Sequence, residues 1–207
     1  MQIKKQEIQE TILEVASIEF VKKGYENSSL RTIAKKANTS LGNIYNYYPS
    51  KEAILDALLE PEIILLKNLL EEHFKLNIHI HSMDDINKIL DQIDIEDTTL
   101  KPILSREFVI FMKTEVPRYV EYREQFLKLF RKHIAWHINA SEDNHFIAII
   151  SNMMIDCMIH YVQCDYHIKH KKEDFIQMFK MMCASVIVNE NTDDSKKVDS
   201  EEVRKIK

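Results

Sequence analysis

Both glycines of this 207-residue chain, Gly24 and Gly42, fall within its first fifty positions, and only four prolines accompany them. A sequence with so little backbone punctuation is poorly suited to short strands and tight hairpins, whose bends draw on glycine and proline. Apolar residues recur instead at three-to-four spacing almost throughout, the period of one helix face. The expected fold class is therefore all-α, with about nine helices, and no segment reads as a strand.

The glycines and the short polar residues divide the first fifty positions into three helices. Ile8, Ile12, Val15, Ala16 and Phe20 mark one face of the first, which Gly24 ends as a left-handed cap. Ser28 or Ser29 caps a short second helix reaching Lys36, with Leu30, Ile33, Ala34 and Ala37 turned inward. Asn38 tolerates a left-handed turn, and Thr39 or Ser40 caps a third helix that stops near Tyr47, before Pro49. Ser50 caps the next helix, with Ile54, Leu55, Leu58 and Leu59 as its stripe, a kink or restart at Pro61 and an end near Leu76. Further helices are expected near 83–94, 101–115, 118–139, 143–167 and 172–189.

The second and third helices, joined by a tight turn, form a helix-turn-helix. A helix entering the major groove needs polar side chains outward, a small residue where its backbone meets DNA, and apolar anchors beneath. Ile44 supplies the anchor, Gly42 the close approach, and Leu41, Asn43, Tyr45, Asn46 and Tyr47 the exposed set. Charge agrees with this placement. Through Lys51, eight basic residues face five acidic ones, a local +3 in a chain of net charge −5, so the remainder carries −8. A basic head on an acidic body suits a protein of which only the head meets phosphate.

Phe20-x3-Gly24-Tyr25, Ser28-Ser29, Ile33-Ala34-x2-Ala37, Ser40-x-Gly42-x-Ile44-Tyr45-x-Tyr47-Tyr48 and Ser50-Lys51-Glu52 together resemble the N-terminal domain of the TetR/AcrR family of regulators. The resemblance covers roughly the first sixty residues. It implies that Arg31, Leu41, Gly42 and Asn46 face bases while Ser29, Asn43, Tyr45, Tyr47 and Lys51 hold phosphates. Asn38 and Thr39 depart from the family's usual Gly and Val, substitutions the turn geometry allows. The resemblance also implies a homodimer formed by the last two long helices, a double-stranded, pseudo-palindromic DNA operator, and a small-molecule effector whose binding releases the protein as a repressor does.

The chain then divides into a helix-turn-helix DNA-binding domain at 1–50, a helical dimerisation and effector-binding domain at 51–190, and a polar, disordered tail at 191–207. Two body segments, from Phe146 to Cys164 and from Phe175 to Val188, are apolar nearly all round, more than one subunit's core requires, so a second copy is expected against the helices near 143–167 and 172–189. Asp156 falls mid-run and argues against a membrane span. Phe108, Phe111, Met112, Tyr119, Phe126, Trp136, Met153, Met154, Cys157 and Tyr161 would line an apolar pocket, or simply fill a core. Asp156 and His160, one turn apart, would orient a polar ligand, or form a buried or interfacial hydrogen bond.

Other chemistries find little support. The pairs His79-x-His81, His133-x3-His137 and His167-x2-His170 have no carboxylate or cysteine at a diagnostic spacing, so neither a metal nor a cofactor is expected. No phosphate loop, nucleophile elbow or metallohydrolase motif occurs, which argues against an enzyme. Three cysteines, an odd number in apolar segments, fit a reducing compartment, and Glu7, Glu10 and Glu14 interrupt any secretory signal, so the cytoplasm is expected. The principal alternative is an architectural, dimeric DNA-binding protein without ligand sensing.

Overall fold

In a computed structural model, residues 2–75, 82–92, 101–137, 140–141, 143–164, 173, 176–178 and 180–181 are described. Their elements are α1 (Gln2–Lys23), α2 (Leu30–Lys36), α3 (Leu41–Tyr47), α4 (Lys51–Lys75), α5 (Met83–Gln92), a 3-10 turn (Pro102–Leu104), α6 (Arg106–Lys113), α7 (Pro117–His137) and α8 (His145–Gln163). No strand occurs among the described residues. The tail at 191–207 and most of the helix expected near 172–189 lie outside them, although Glu173, Ile176, Gln177, Met178, Lys180 and Met181 are helical.

The first helix follows its apolar stripe: Ile12, Ala16 and Phe20 are buried, and Ile33, Ala34 and Ile44 of α2 and α3 belong to the same core. Gly24 ends α1 at φ +82, a left-handed conformation that costs other residues more. The first turns of α4 bring Ile54, Leu55, Leu58 and Leu59 into this core, and its later turns bring Leu66 and Leu70 into the body. The helix continues through Pro61 without the restart expected there. Burial on both sides of Pro61 outweighs the missing hydrogen bond.

The single helix expected at 101–115 is two elements. Pro102 starts a 3-10 turn, and Ser105, in extended conformation, ends it and caps α6 by accepting from the Phe108 amide at 2.9 Å. Phe108, Val109, Ile110 and Phe111 are all buried, because α6 packs against α1, α4 and α8 at once. Phe126 of α7 meets Phe108 and Phe111 edge-on, each at 6.0 Å between centroids, and stacks on Phe130. In α8, Ile147, Ile150, Met154, Ile155 and Met158 face this core. By length and composition α8 is apolar enough to cross a membrane, but here it packs on α6 and α7.

Polar ties join head and body where these helices cross. The Arg106 guanidinium donates to Glu14 Oε1 at 2.8 Å and Ser17 Oγ at 3.0 Å. Asp56 of α4 accepts from Arg118 and, at 2.7 Å, from the buried Tyr119 hydroxyl, whose pKa is raised by burial and by that carboxylate. Glu26, beyond Gly24, accepts from the Glu115 amide at 2.9 Å and the Thr114 hydroxyl at 3.4 Å.

Glu62 lies buried in α4, its Oε1 accepting from Ser105 Oγ at 2.7 Å. Burial, with Glu107 nearby, pushes its carboxyl up to about 7, although the Ser105 bond and Lys101 pull the other way. The folded protein therefore holds this proton more tightly than the unfolded chain. The contribution is fully present below the unfolded value of 4.5 and is lost as pH rises through about 7. Glu62→Gln should remove a fall in stability on the order of 2–3 kcal/mol between pH 5 and pH 8. Urea midpoints across that range measure it; parallel profiles for the two proteins would contradict the assignment.

Candidate nucleic-acid interface

Three side-chain caps shape the helix-turn-helix. Ser29 Oγ accepts from the Thr32 amide at 3.3 Å to start α2, Ser40 Oγ from the Asn43 amide at 3.0 Å to start α3, and Ser50 Oγ from the Ala53 amide at 3.0 Å to start α4. Between the first two, Asn38 takes φ +50, the only positive φ outside glycine among the described residues. The turn is closed by Thr39 N donating to Ala34 O at 2.9 Å.

On α3 the fold separates two faces. Ile44 is fully buried, while Tyr45, at 50% exposure, and Gly42 and Asn46 are exposed and Leu41 half-buried. Leu41 and Tyr45, like Gly42 and Asn46, are four residues apart and stack in adjacent rows. Arg31 adds an exposed guanidinium from α2. Tyr47 is half-buried, and Asn43 spends one amide hydrogen on Thr39 Oγ1 at 2.8 Å. Ser29 is exposed but already capping α2, with its hydroxyl 2.9 Å from that of Thr32.

Gly42 is left unexplained by the fold itself. A Cβ added there would meet only Ser40 Oγ, at 4.0 Å, and no positive φ requires glycine. The space there is open, so the fold itself sets no requirement for glycine at this position.

Lys51 differs from expectation. Its ammonium folds back beneath the Tyr25 ring, 4.3 Å from the centroid, and donates to the carbonyls of Tyr25, Ser28 and Glu26 at 2.7, 3.1 and 3.3 Å. All three of its hydrogens are thereby used within the protein, and burial draws its pKa below the usual lysine value. In this structure it ties α4 to the loop after Gly24.

The sequence reading also missed Glu19. This carboxylate is wholly buried, paired with Lys23 at 2.7 Å and with Lys36, which joins α1 to α2. The two lysines hold its pKa below the ordinary carboxylate value. The Glu19–Lys23 spacing is visible in sequence as a helix pair; the Lys36 contact is tertiary and leaves no local signal.

Residues 12–58 match the bacterial regulatory proteins of the tetR family. The N-terminal unit is a tetR-family domain. The match covers the helix-turn-helix and the first turns of α4. Along most of its length it is similar to the HTH-type transcriptional regulator LuxR of Vibrio harveyi, 22% identical over 91% of this chain and 79% of that protein. The uncharacterized HTH-type transcriptional regulator YuxN of Bacillus subtilis is 43% identical over 53 residues, 26% of this chain and 18% of that protein. Among solved structures, a TetR-family regulator from Mesorhizobium loti aligns at 12% identity over 89% of this chain and 96% of its own, with a TM-score of 0.48.

Behind the tetR-family domain, the residues expected to line a pocket separate into groups. Phe108, Phe111, Tyr119, Phe126 and Met154 are buried, while Met112, Trp136, Cys157 and Tyr161 are half-buried. Met153, Asp156 and His160 are corrected: they are exposed on the outer side of α8, since Ile147, Ile150, Met154 and Met158 take its inner side. The cavity in this part of the body, about 180 Å³, lies between α4 and α7. Phe111 and Phe126 line it together with Ile63, Leu66 and Leu129, and Lys67, Tyr122 and Gln125 stand among them as the polar groups. His133 and His137, also buried, bring their Nε2 atoms within 3.2 Å of each other. No third histidine, cysteine or carboxylate joins them in a metal-sized group among the described residues.

Two substitutions separate the surface from its support. Gly42→Ala should leave the head folded, gaining up to about 1 kcal/mol from helix propensity, yet weaken DNA binding; unchanged affinity would remove Gly42 from the contact surface. Lys51→Ala should cost on the order of 1–3 kcal/mol of stability by leaving three carbonyls without its ammonium. The salt dependence of DNA binding should stay the same, whereas loss of a phosphate contact would flatten its slope by about 0.9.

Proposed function

We propose that this protein is a dimeric, operator-specific repressor of the cytoplasm that leaves DNA when a small, largely apolar effector enters its body. The observation that carries the DNA reading is the outward face of α3, whose groups the fold does not use. Arg31, Leu41, Gly42 and Asn46 contact bases in this proposal. Ser29, Asn43, Tyr45 and Tyr47 contact phosphate, Asn43 through the amide hydrogen that Thr39 leaves over. A guanidinium pairs well with guanine, an asparagine amide with adenine, and a leucine methyl with thymine.

Dimerisation is supported by the outer side of α8. Ile149 and Met153 are 43% and 47% exposed, and Met181 from the following helical segment is 73% exposed, a costly apolar surface for an isolated chain. A two-fold axis through α8 and the helix near 172–189 presents two heads to a pseudo-palindromic site, the half-sites about one helical turn, or a multiple of it, apart. Met153→Glu should yield folded monomers with much weaker operator binding; a dimer that persists in sedimentation would contradict this interface.

Effector control is supported by the cavity against α4, since this helix starts at the head. A ligand acts only by preferring one head arrangement over the other. Competition between the chain's own upstream region and random duplex tests the regulatory reading. Preference for the former should be roughly 10³-fold or more, and parity would leave a non-specific, architectural DNA-binding protein in its place.

A further inference from the structure

The 3-10 turn Pro102–Leu104 packs against α4, α6 and α8, so it sits where the helix that starts at the head meets the helix proposed to dimerise. Pro102 and Ile103 are buried in that junction. A polar cluster lies inside it. Ser105 Oγ stands 2.7 Å from Glu62 Oε1 of α4, 2.9 Å from the carbonyl oxygen of Pro102 and 2.9 Å from the amide nitrogen of Phe108 on α6.

The hydrogens of this cluster fall one short when Glu62 is ionised. The Phe108 amide donates to Ser105 Oγ, and the serine hydroxyl has a single hydrogen for two acceptors, the Glu62 carboxylate and the Pro102 carbonyl. An ionised carboxylate is the stronger acceptor and takes it, so the Pro102 carbonyl loses the serine. A proton on Glu62 reverses the direction. The carboxyl then donates to Ser105 Oγ, the serine hydroxyl donates to Pro102, and all three contacts are made at once. The proton therefore decides whether α4 is joined through Ser105 to the turn as well as to the cap of α6. Lys101 before the turn and Glu107 on α6 act on Glu62 in opposite directions, and burial pushes its carboxyl up to about 7, so both arrangements occur near neutrality. Arg106 is turned to Glu14 and Ser17, α7 brings Arg118 and Tyr119 to α4 at Asp56, and none of the buried residues of α8 is ionisable.

We infer that the proton is itself an effector of DNA binding: uptake at Glu62 fastens α4 to the 3-10 turn and favours the DNA-binding arrangement, and its loss unfastens that junction and weakens DNA binding. The inference rests on the reading above, in which the effector-free form is the one that binds DNA. The coupling is reciprocal, so the arrangement that binds DNA also holds this proton more tightly. The switch is separate from the cavity between α4 and α7, and the two act on the same helix.

Two measurements on the full chain separate the switch from its consequence. The titration of Glu62 is followed by the NMR shift of its carboxyl carbon, and the affinity for a duplex of the chain's own upstream region by fluorescence anisotropy at fixed ionic strength. Between pH 6 and pH 8 the native chain should lose roughly tenfold more affinity than Glu62→Gln, whose amide can donate to Ser105 Oγ as the neutral carboxyl does. At pH 6 the two should bind alike. Glu107→Gln should move the midpoints of both the titration and the affinity curve to lower pH, and Lys101→Gln should move both to higher pH, shifts that a merely structural glutamate would not produce. The inference is overturned if Glu62 does not titrate near neutrality, or if it titrates while the affinity profiles of the native chain and Glu62→Gln run parallel. Equal binding to upstream and random duplexes would fail the regulatory reading instead, and the same comparison on the random duplex then decides the switch.

Discussion

The structure depends on one helix that carries a single apolar core from the head into the body. α4 spans 25 residues, about 37 Å at 1.5 Å per residue, and its two halves are buried in different surroundings. Ile54, Leu55, Leu58 and Leu59 complete the floor of the head; Leu66 and Leu70 enter the body. Side chains packed at native density on both ends hold such a helix in place along its length. Pro61, where the two halves meet, removes one backbone donor from the helix without ending it. The cavity between α4 and α7 opens just beyond that point, against the same element that carries the head.

Electrostatic ties reinforce this arrangement at the crossings. Glu19 joins α1 to α2, Glu26 joins the turn after α1 to the link between α6 and α7, Asp56 joins α4 to α7, and Glu62 joins α4 to the cap of α6. Each carboxylate meets its partner across two elements, where a hydrogen bond fixes relative position as well as adding energy. Their protonation differs with surroundings. Glu19 stays ionised beside two ammonium groups, while burial beside hydroxyl and carboxylate neighbours makes Glu62 a group that titrates near neutrality. Removal of charge at Glu62 and at Glu19 therefore acts in opposite senses on stability.

Much of the head was legible because its information is local. Ser29, Ser40 and Ser50 each bond an amide three residues on, Asn38 adopts the turn conformation that its short amide favours, and Ile44 is anchored by spacing alone. The body was legible only as helices. Periodicity does not say which face of a largely apolar helix meets its own subunit, and Met153, Asp156 and His160 prove to be exposed on the outer side of α8. Nor could it show that Pro102 and Ser105 divide the segment at 101–115, where the Ser105 cap competes with helix continuation. The side chains of Lys67, Tyr122 and Gln125 are ordinary helix residues in sequence, and their convergence on one cavity is a tertiary fact.

Lys51 and Gly42 show how the same motif can contain opposite kinds of evidence. Both sit in a pattern that invites assignment to DNA contact. Lys51 is accounted for inside the protein, since three carbonyls and an aromatic face satisfy its charge at positions set by the loop after Gly24. Gly42 is not accounted for inside, since the space where a side chain would stand is open. A residue whose chemistry the fold already consumes has little left for a partner, and a residue that the fold does not use leaves its surface open to one. By that criterion Leu41, Gly42, Tyr45 and Asn46, with Arg31 beside them, are what the fold leaves for the DNA contact proposed above, and Lys51 belongs to the frame that holds them in place.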